Sequence, residues 1–221
     1  ADYFINKFTL KKEKFKRVLL GSDPTLYYPK ENKKNKYFTV VFTSSYIPAL
    51  GVEYVVRAAK LLEKHKDIHF IFVGNGPTFK ENYALTRELS LHNIEFIDFV
   101  PEPVLVQIMR QADVGLGIFG SFPKTDNAIP NKIFQYLALK KPIVSGETRG
   151  VKELLTHREN VYLCKVADPV SLADSVLYLK NNETLRKKIA VNGYKLFTQK
   201  CTPKIIGHDL NEIILDNLHH R

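Results

Sequence analysis

The sequence predicts an α/β domain in which a parallel sheet carries helices on both faces. Three observations predict it. Short β-rich runs alternate with segments of helical period from Lys36 onward. One run leads straight into Gly74, Asn75, Gly76 and Pro77, residues that turn the chain and let a helix start. A later run opens into the long, turn-rich stretch Gly120 to Asn131 ahead of another helical segment.

In order, Tyr37 to Thr43 (YFTVVFT) reads as the first strand. Gly51 to Lys64 follows as a helix, with Val52, Val55, Val56, Ala59 and Leu62 at helical spacing. Ile68 to Val73 is the second strand, and a helix runs from the GNGP turn through Leu91. Ile94 to Val100 alternates as a strand, Pro101 to Gln111 begins with helix-start residues, and Val114 to Phe119 reads as a buried strand. Lys132 to Leu139 is a helix, Pro142 to Ser145 and Val161 to Cys164 are the last strands, and a short helix near Val151 to Leu155 separates them. Asp168 to Lys180, Glu183 to Phe197 and Pro203 to Asn217 read as closing helices.

The 221 residues, 44% hydrophobic and 25% charged, supply one large core. No apolar run reaches the roughly 20 residues of a spanning helix, and the first residues lack the order of a signal peptide, so a cytoplasmic protein is expected. Cys164 and Cys201 have no ligand spacing, and His65 and His69 straddle a helix-to-strand junction, so neither zinc nor a disulfide is indicated. The net charge of +10 is uneven: ten Lys or Arg stand against four acids between Ala1 and Val40. That stretch is either a solvated surface or a face for an anionic membrane or phosphate-bearing substrate. Nucleic acid is not expected, because no aromatic and basic interleaving accompanies the charge.

Ligands of an open parallel sheet bind beyond the carboxyl ends of its strands, where helix N-termini offer unpaired N–H groups. Four loops qualify: Ser44 to Gly51, Gly74 to Pro77, Val100 to Pro103, and Gly120 to Asn131. The last is long for such a sheet, which favours a functional loop. It ends where the N–H groups of Asn131, Lys132 and Ile133 could hold a diphosphate, with the Lys132 ammonium adding charge. The first strand leads into SSYIPALG, without the GxGxxG of a dinucleotide site.

The succession GSDPTLYYP, FVGNGP, IEFIDFVPEP, ADVGLGIF, IPNKIFQYLALKKPIVSGE and KELL resembles the C-terminal domain of family 4 (group 1) glycosyltransferases, over about Gly21 to Asn217. The resemblance implies a Rossmann-like sheet forming the C-terminal half of a GT-B fold. Residues 1 to 28 would be a remnant of the N-terminal domain and the linker, with Asp23, Tyr28 and Pro29 as linker residues, and 29 to 221 the nucleotide-sugar-binding domain. It implies a retaining hexosyl-type transfer from a nucleotide-diphospho-sugar, in polysaccharide or glycoconjugate biosynthesis, without a metal or cofactor, and inactive without the acceptor-binding N-terminal domain.

On that resemblance the donor contacts fall on Ser44, Ser45, Gly51, Gly74, Asn75, Gly76, Val100, Ile129, Pro130, Asn131 and Lys132. The family's two glutamates, one reaching the donor sugar and one the ribose, fall on Asn127 and Gln135. Amides hydrogen-bond hydroxyls but carry no charge for an oxocarbenium. The basic pair that usually grips the diphosphate falls on Ser45 and Leu50, leaving Lys132, Lys124 and Arg149 as candidate replacements. These departures keep open a second reading, a degenerate binding module that has lost its chemistry.

Overall fold

The computed structural model describes residues 5, 7–9, 11–12, 15–31 and 35–219, without the side chains of Lys124, Asn217 and His219. The remaining N-terminal residues and Lys33 and Lys34 of the basic stretch lie outside the described residues.

The strands β1 (Phe38–Thr43), β2 (Ile68–Val73), β3 (Ile94–Ile97), β4 (Val114–Leu116), β5 (Ile143–Gly146) and β6 (Tyr162–Cys164) form one parallel sheet. Their order is β3-β2-β1-β4-β5-β6, so the chain reverses its direction of growth between β1 and β4. In such sheets this reversal point leaves a crevice for ligands. Central β1 is buried on both faces, with Val40, Val41 and Phe42 fully inaccessible, because helices cover each side.

Between the strands lie α1 (Val52–Leu61), α2 (Phe79–Glu88), α3 (Glu102–Arg110), α4 (Pro123–Asp126), α5 (Asn131–Ala138) and α6 (Arg149–Lys152). The chain closes with α7 (Pro169–Asn181), α8 (Glu183–Lys200) and α9 (Pro203–His219). Among the described residues four of these starts are capped by side chains: Thr148 accepts from the Val151 N–H, Asp168 from Ser171, Asn182 from Leu185 and Thr202 from Ile205. No helix among the described residues is long and apolar enough to cross a membrane.

All the expected elements form, with shifted ends. The third strand stops at Ile97 because the Asp98 carboxylate takes the Phe99 N–H at 2.6 Å, turning the chain out of the ladder. The stretch Gly120 to Asn131 is not wholly irregular: Pro123 opens the single-turn α4 within it.

The placement of α5 follows from one small residue. Gly115 of β4 leaves room for the Tyr136 ring, since a Cβ there would stand 2.6 Å from ring carbons. Tyr136 then reaches through to donate its hydroxyl to the Val41 carbonyl at 2.8 Å. Buried Ile133, Phe134 and Leu137 complete the seat, so α5 is fixed with its first turn at the crevice.

Candidate functional site

The strand register brings the candidate loops together. Thr43 pairs with Val73 and Val73 with Ile97, so β1, β2 and β3 end in one row and their loops leave side by side. Gly74 and Gly76 adopt φ of 117° and 155°, and a Cβ on either would sit about 2 Å from the Ser44 or Ser45 carbonyl oxygen. Only glycine permits this backbone against that loop. The Asn75 carboxamide is engaged within the turn: its oxygen accepts from the Gly76 N–H and its nitrogen donates to Asp98.

Above these ends lies a cleft of about 940 Å³. Ser44, Ser45, Gly74, Asn75, Val100, Pro130, Asn131, Lys132 and Gln135 line it, which gathers residues far apart in the chain. Thr43, Ile47, Leu50, Val73, Phe99 and Leu105 complete the walls, and Phe99 is 84% exposed at the rim. Gly51 is not in the lining; its φ of 67° turns the chain into α1, with Gly120 packed against it. Gly76, packed against the Ser45 carbonyl, and the partly buried Ile129 are not in the lining either.

The start of α5 is chemically open. Pro130, at the N-cap with extended backbone, offers no side-chain cap, and the first turn has no acidic residue. The Ile133 N–H bonds the Pro130 carbonyl at 2.9 Å. Those of Asn131 and Lys132 meet no acceptor among the described residues. Unpaired N–H groups and the positive end of the helix dipole together favour an anion here.

Lys132 sharpens this polarity. The residue is only 7% exposed, and its Nζ has no hydrogen-bond partner among the described residues. The nitrogen lies 4.0 Å from the centroid of the Phe42 ring, a weak substitute for water. Burial alone pushes its pKa from the usual lysine range down to about 7. A cation buried at the positive end of a helix is disfavoured twice unless an anion joins it.

Gln135, one turn further along α5, is held from behind. Its Nε2 donates to the Tyr27 hydroxyl at 2.8 Å, and Tyr27 donates to Glu102 Oε1 at 2.9 Å. Burial, with the Glu102 carboxylate adding to it, raises the Tyr27 pKa. Of the two linker tyrosines it is Tyr27, 2% exposed, that reaches the site; Tyr28 lies outside under the Arg110 guanidinium. Nothing in the local sequence distinguishes them, since both precede Pro29 and only packing orients them.

The other candidates stand apart from the cleft. Asn127 is exposed at the end of α4 and donates Nδ2 to the Pro123 carbonyl at 2.9 Å. Arg149 pairs with Asp126, which also accepts the Arg149 N–H. The Lys124 side chain lies outside the described residues. Among the described residues no group of three His, Cys, Asp or Glu side chains converges to hold a metal ion.

Comparison with known proteins identifies the fold and the family. Among curated relatives, an uncharacterized glycosyltransferase of Methanocaldococcus jannaschii is 26% identical over 162 residues, 72% of this chain and 43% of that protein. The capsular polysaccharide biosynthesis glycosyltransferase CapM of Staphylococcus aureus is 20% identical over 185 residues, 81% of this chain and 46% of that one. The chain thus spans about half the length of the curated relatives it matches. The crystal structure of Anabaena HepE in complex with UDP and glucose superposes with a TM-score of 0.81 at 20% identity. The overlap covers 92% of this chain and 57% of that one, and shows the fold: the Rossmann-like half of a GT-B arrangement. The family profile described as glycosyl transferases group 1 matches residues 25–196, from the linker into α8, and the chain belongs to that family.

Proposed function

We propose that this chain binds the donor of a retaining glycosyltransferase, a nucleotide-diphospho-sugar. The diphosphate sits at the start of α5 against Lys132, and base and ribose lie toward Gly74 to Gly76 and Val100. The observation that carries the reading is the buried Lys132 Nζ in the wall of the cleft, without a hydrogen-bond partner among the described residues, beside the N–H groups of Asn131 and Lys132, which likewise meet no acceptor there. Negative charge grows on the leaving diphosphate as the sugar departs. Preorganised N–H groups and an ammonium stabilise that charge without a metal ion. HepE, similar in fold, was crystallised with UDP and with UDP-glucose, which supports a donor of this class.

A hexosyl-type sugar, a polysaccharide or glycoconjugate product and a partner half that holds the acceptor complete the proposal. The domain by itself is expected to bind the donor and transfer nothing. Calorimetric titration with uridine and guanosine diphosphates tests the reading. Binding at micromolar to sub-millimolar concentration is the expected result, and no heat with either at several millimolar would overturn it.

A second reading, a binding module without chemistry, is favoured by Asn127, which turns its amide to Pro123 rather than into the cleft. Donor turnover by the domain joined to its facing half separates the two: bound nucleotide without sugar release supports the module.

The lysine-rich stretch before β1 is proposed to meet an anionic membrane carrying the acceptor. Co-sedimentation with vesicles should rise with their fraction of anionic lipid and fall with salt. Equal sedimentation with neutral vesicles would remove the membrane from the proposal.

A further inference from the structure

One wall of the cleft has its hydrogen-bonding sense dictated from outside it. Glu102, exposed at the first turn of α3, presents a carboxylate, which accepts hydrogen bonds and donates none. The Tyr27 hydroxyl has one proton and gives it to Glu102 Oε1 at 2.9 Å. Burial and the neighbouring carboxylate raise the Tyr27 pKa, so that proton stays in place. The hydroxyl oxygen can then only accept from its next partner, and Gln135 meets it at 2.8 Å. The atom of Gln135 turned to Tyr27 must therefore be Nε2, and the carbonyl oxygen Oε1 is the one left for the cleft. No donor among the described residues reaches Oε1.

A free glutamine is ambivalent, able to offer either end of its amide to a ligand. Here the two residues behind it remove the choice. We propose that Glu102 and Tyr27 are positioning residues that hold Gln135 as a pure acceptor toward the ligand hydroxyl that the family resemblance puts at this position, the ribose hydroxyl of the bound nucleotide. The assignment rests on the nucleotide reading above. Gln135 stands three residues beyond Lys132 on the same helix, so its side chain lies about one turn, ~5 Å, from the phosphate locus. Within a nucleoside diphosphate the ribose is the hydroxyl-bearing group joined directly to the diphosphate.

This arrangement supplies part of what a glutamate would give at the same place. A carboxylate is an acceptor whichever way it turns, whereas a glutamine becomes one only when its nitrogen is committed elsewhere. The commitment joins three segments distant in sequence: the linker before β1, the first turn of α3 and the middle of α5.

The test compares binding of uridine or guanosine diphosphate with that of the 2′-deoxy and 3′-deoxy forms, in the chain as it stands, Tyr27→Phe and Glu102→Ala, the last of which removes the acceptor altogether. The unaltered chain should prefer the ribonucleotide about tenfold over at least one deoxy form, the effect of one well-made hydrogen bond. In both variants the preference should collapse to about twofold, because Gln135 is then free to present its nitrogen. Glu102 is exposed, so its variant should fold even if Tyr27→Phe does not. A preference that survives Glu102→Ala unchanged overturns the relay while leaving the nucleotide site intact. An unaltered chain that binds ribo and deoxy forms equally also overturns it. If no nucleotide binds the unaltered chain, the reading of the cleft itself fails. Equal affinity for the diphosphates with sharply reduced affinity for a nucleotide sugar in the variants would assign Oε1 to the transferred sugar and overturn the ribose assignment.

Discussion

Replacing Lys132 with methionine should weaken nucleoside diphosphate binding by roughly 10- to 150-fold while raising the melting temperature of the free domain. The first effect is the loss of a charge-assisted hydrogen bond, which contributes about 1.5–3 kcal/mol. The second has the opposite sign because the free protein has nothing to offset the buried group. Nζ has no partner among the described residues, and the Phe42 ring is its closest compensation. Methionine fills similar space without a polar atom, so removing an unsatisfied group should stabilise the fold by about 1–3 kcal/mol. Calorimetry and thermal unfolding on the same two proteins check both halves. Weaker binding accompanied by a lower melting temperature would mean that Lys132 is a structural residue, and the assignment of the diphosphate would fall.

Binding should also take up a proton. In the free protein, burial holds the Lys132 pKa at about 7. A diphosphate beside the ammonium favours its charged form, so the pKa rises in the complex. Below pH 7 the lysine is charged in both states and affinity does not depend on it. Above pH 7 the free form loses its proton and must regain it to bind. Affinity should therefore fall by about tenfold or more between pH 7.5 and 9. The last phosphate ionisation of the ligand, near pH 6, lies below this window. Titrations in buffers of different ionisation enthalpy should count close to one proton at pH 8.5. Lys132→Met should show a flat profile there, and a pH-independent affinity in the unaltered chain would contradict the assignment.

The stability of the free domain carries the complementary sign. The folded pKa of Lys132 lies below its unfolded value of 10.5, so between about pH 7 and 10.5 the unfolded chain binds more protons. This group therefore makes the free domain more stable as pH rises through that window, while nucleotide affinity falls. Opposite trends in one pH range are hard to obtain from general charge repulsion.

Much of the architecture could be read along the chain because its causes are local. The β-branched and aromatic run at Phe38 to Thr43 has to be buried on both faces, and the helical spacing of Val52, Val55, Val56 and Ala59 gives α1 one apolar side. Gly74 and Gly76 mark a turn wherever the chain must take positive φ. The open start of α5 was legible for the same reason: a proline with no capping side chain leaves N–H groups unpaired.

Side-chain assignments within the cleft were not legible. Asn127 and Gln135 stand at equivalent places in the resemblance, yet one amide turns to the Pro123 carbonyl and the other borders the cleft. Lys132 reads in sequence as a lysine at a helix start, either a diphosphate contact or a plain helix-end residue, with no sign that it is buried. It becomes a buried cation, with no hydrogen-bond partner among the described residues, because Tyr136 seats α5 against β1 and β4 and brings Phe42 beneath it.

By itself the sequence determined the alternation of strands and helices, the family and the loops that carry the site, since hydrophobic period and turn residues act over a few positions. Only the tertiary structure decided which lysine is stripped of water and which end of Gln135 is left for the cleft. Both depend on neighbours from distant segments: Phe42 beneath Lys132, and, 108 residues from Gln135, the Tyr27 hydroxyl, whose orientation is set by packing and by the direction of a single proton.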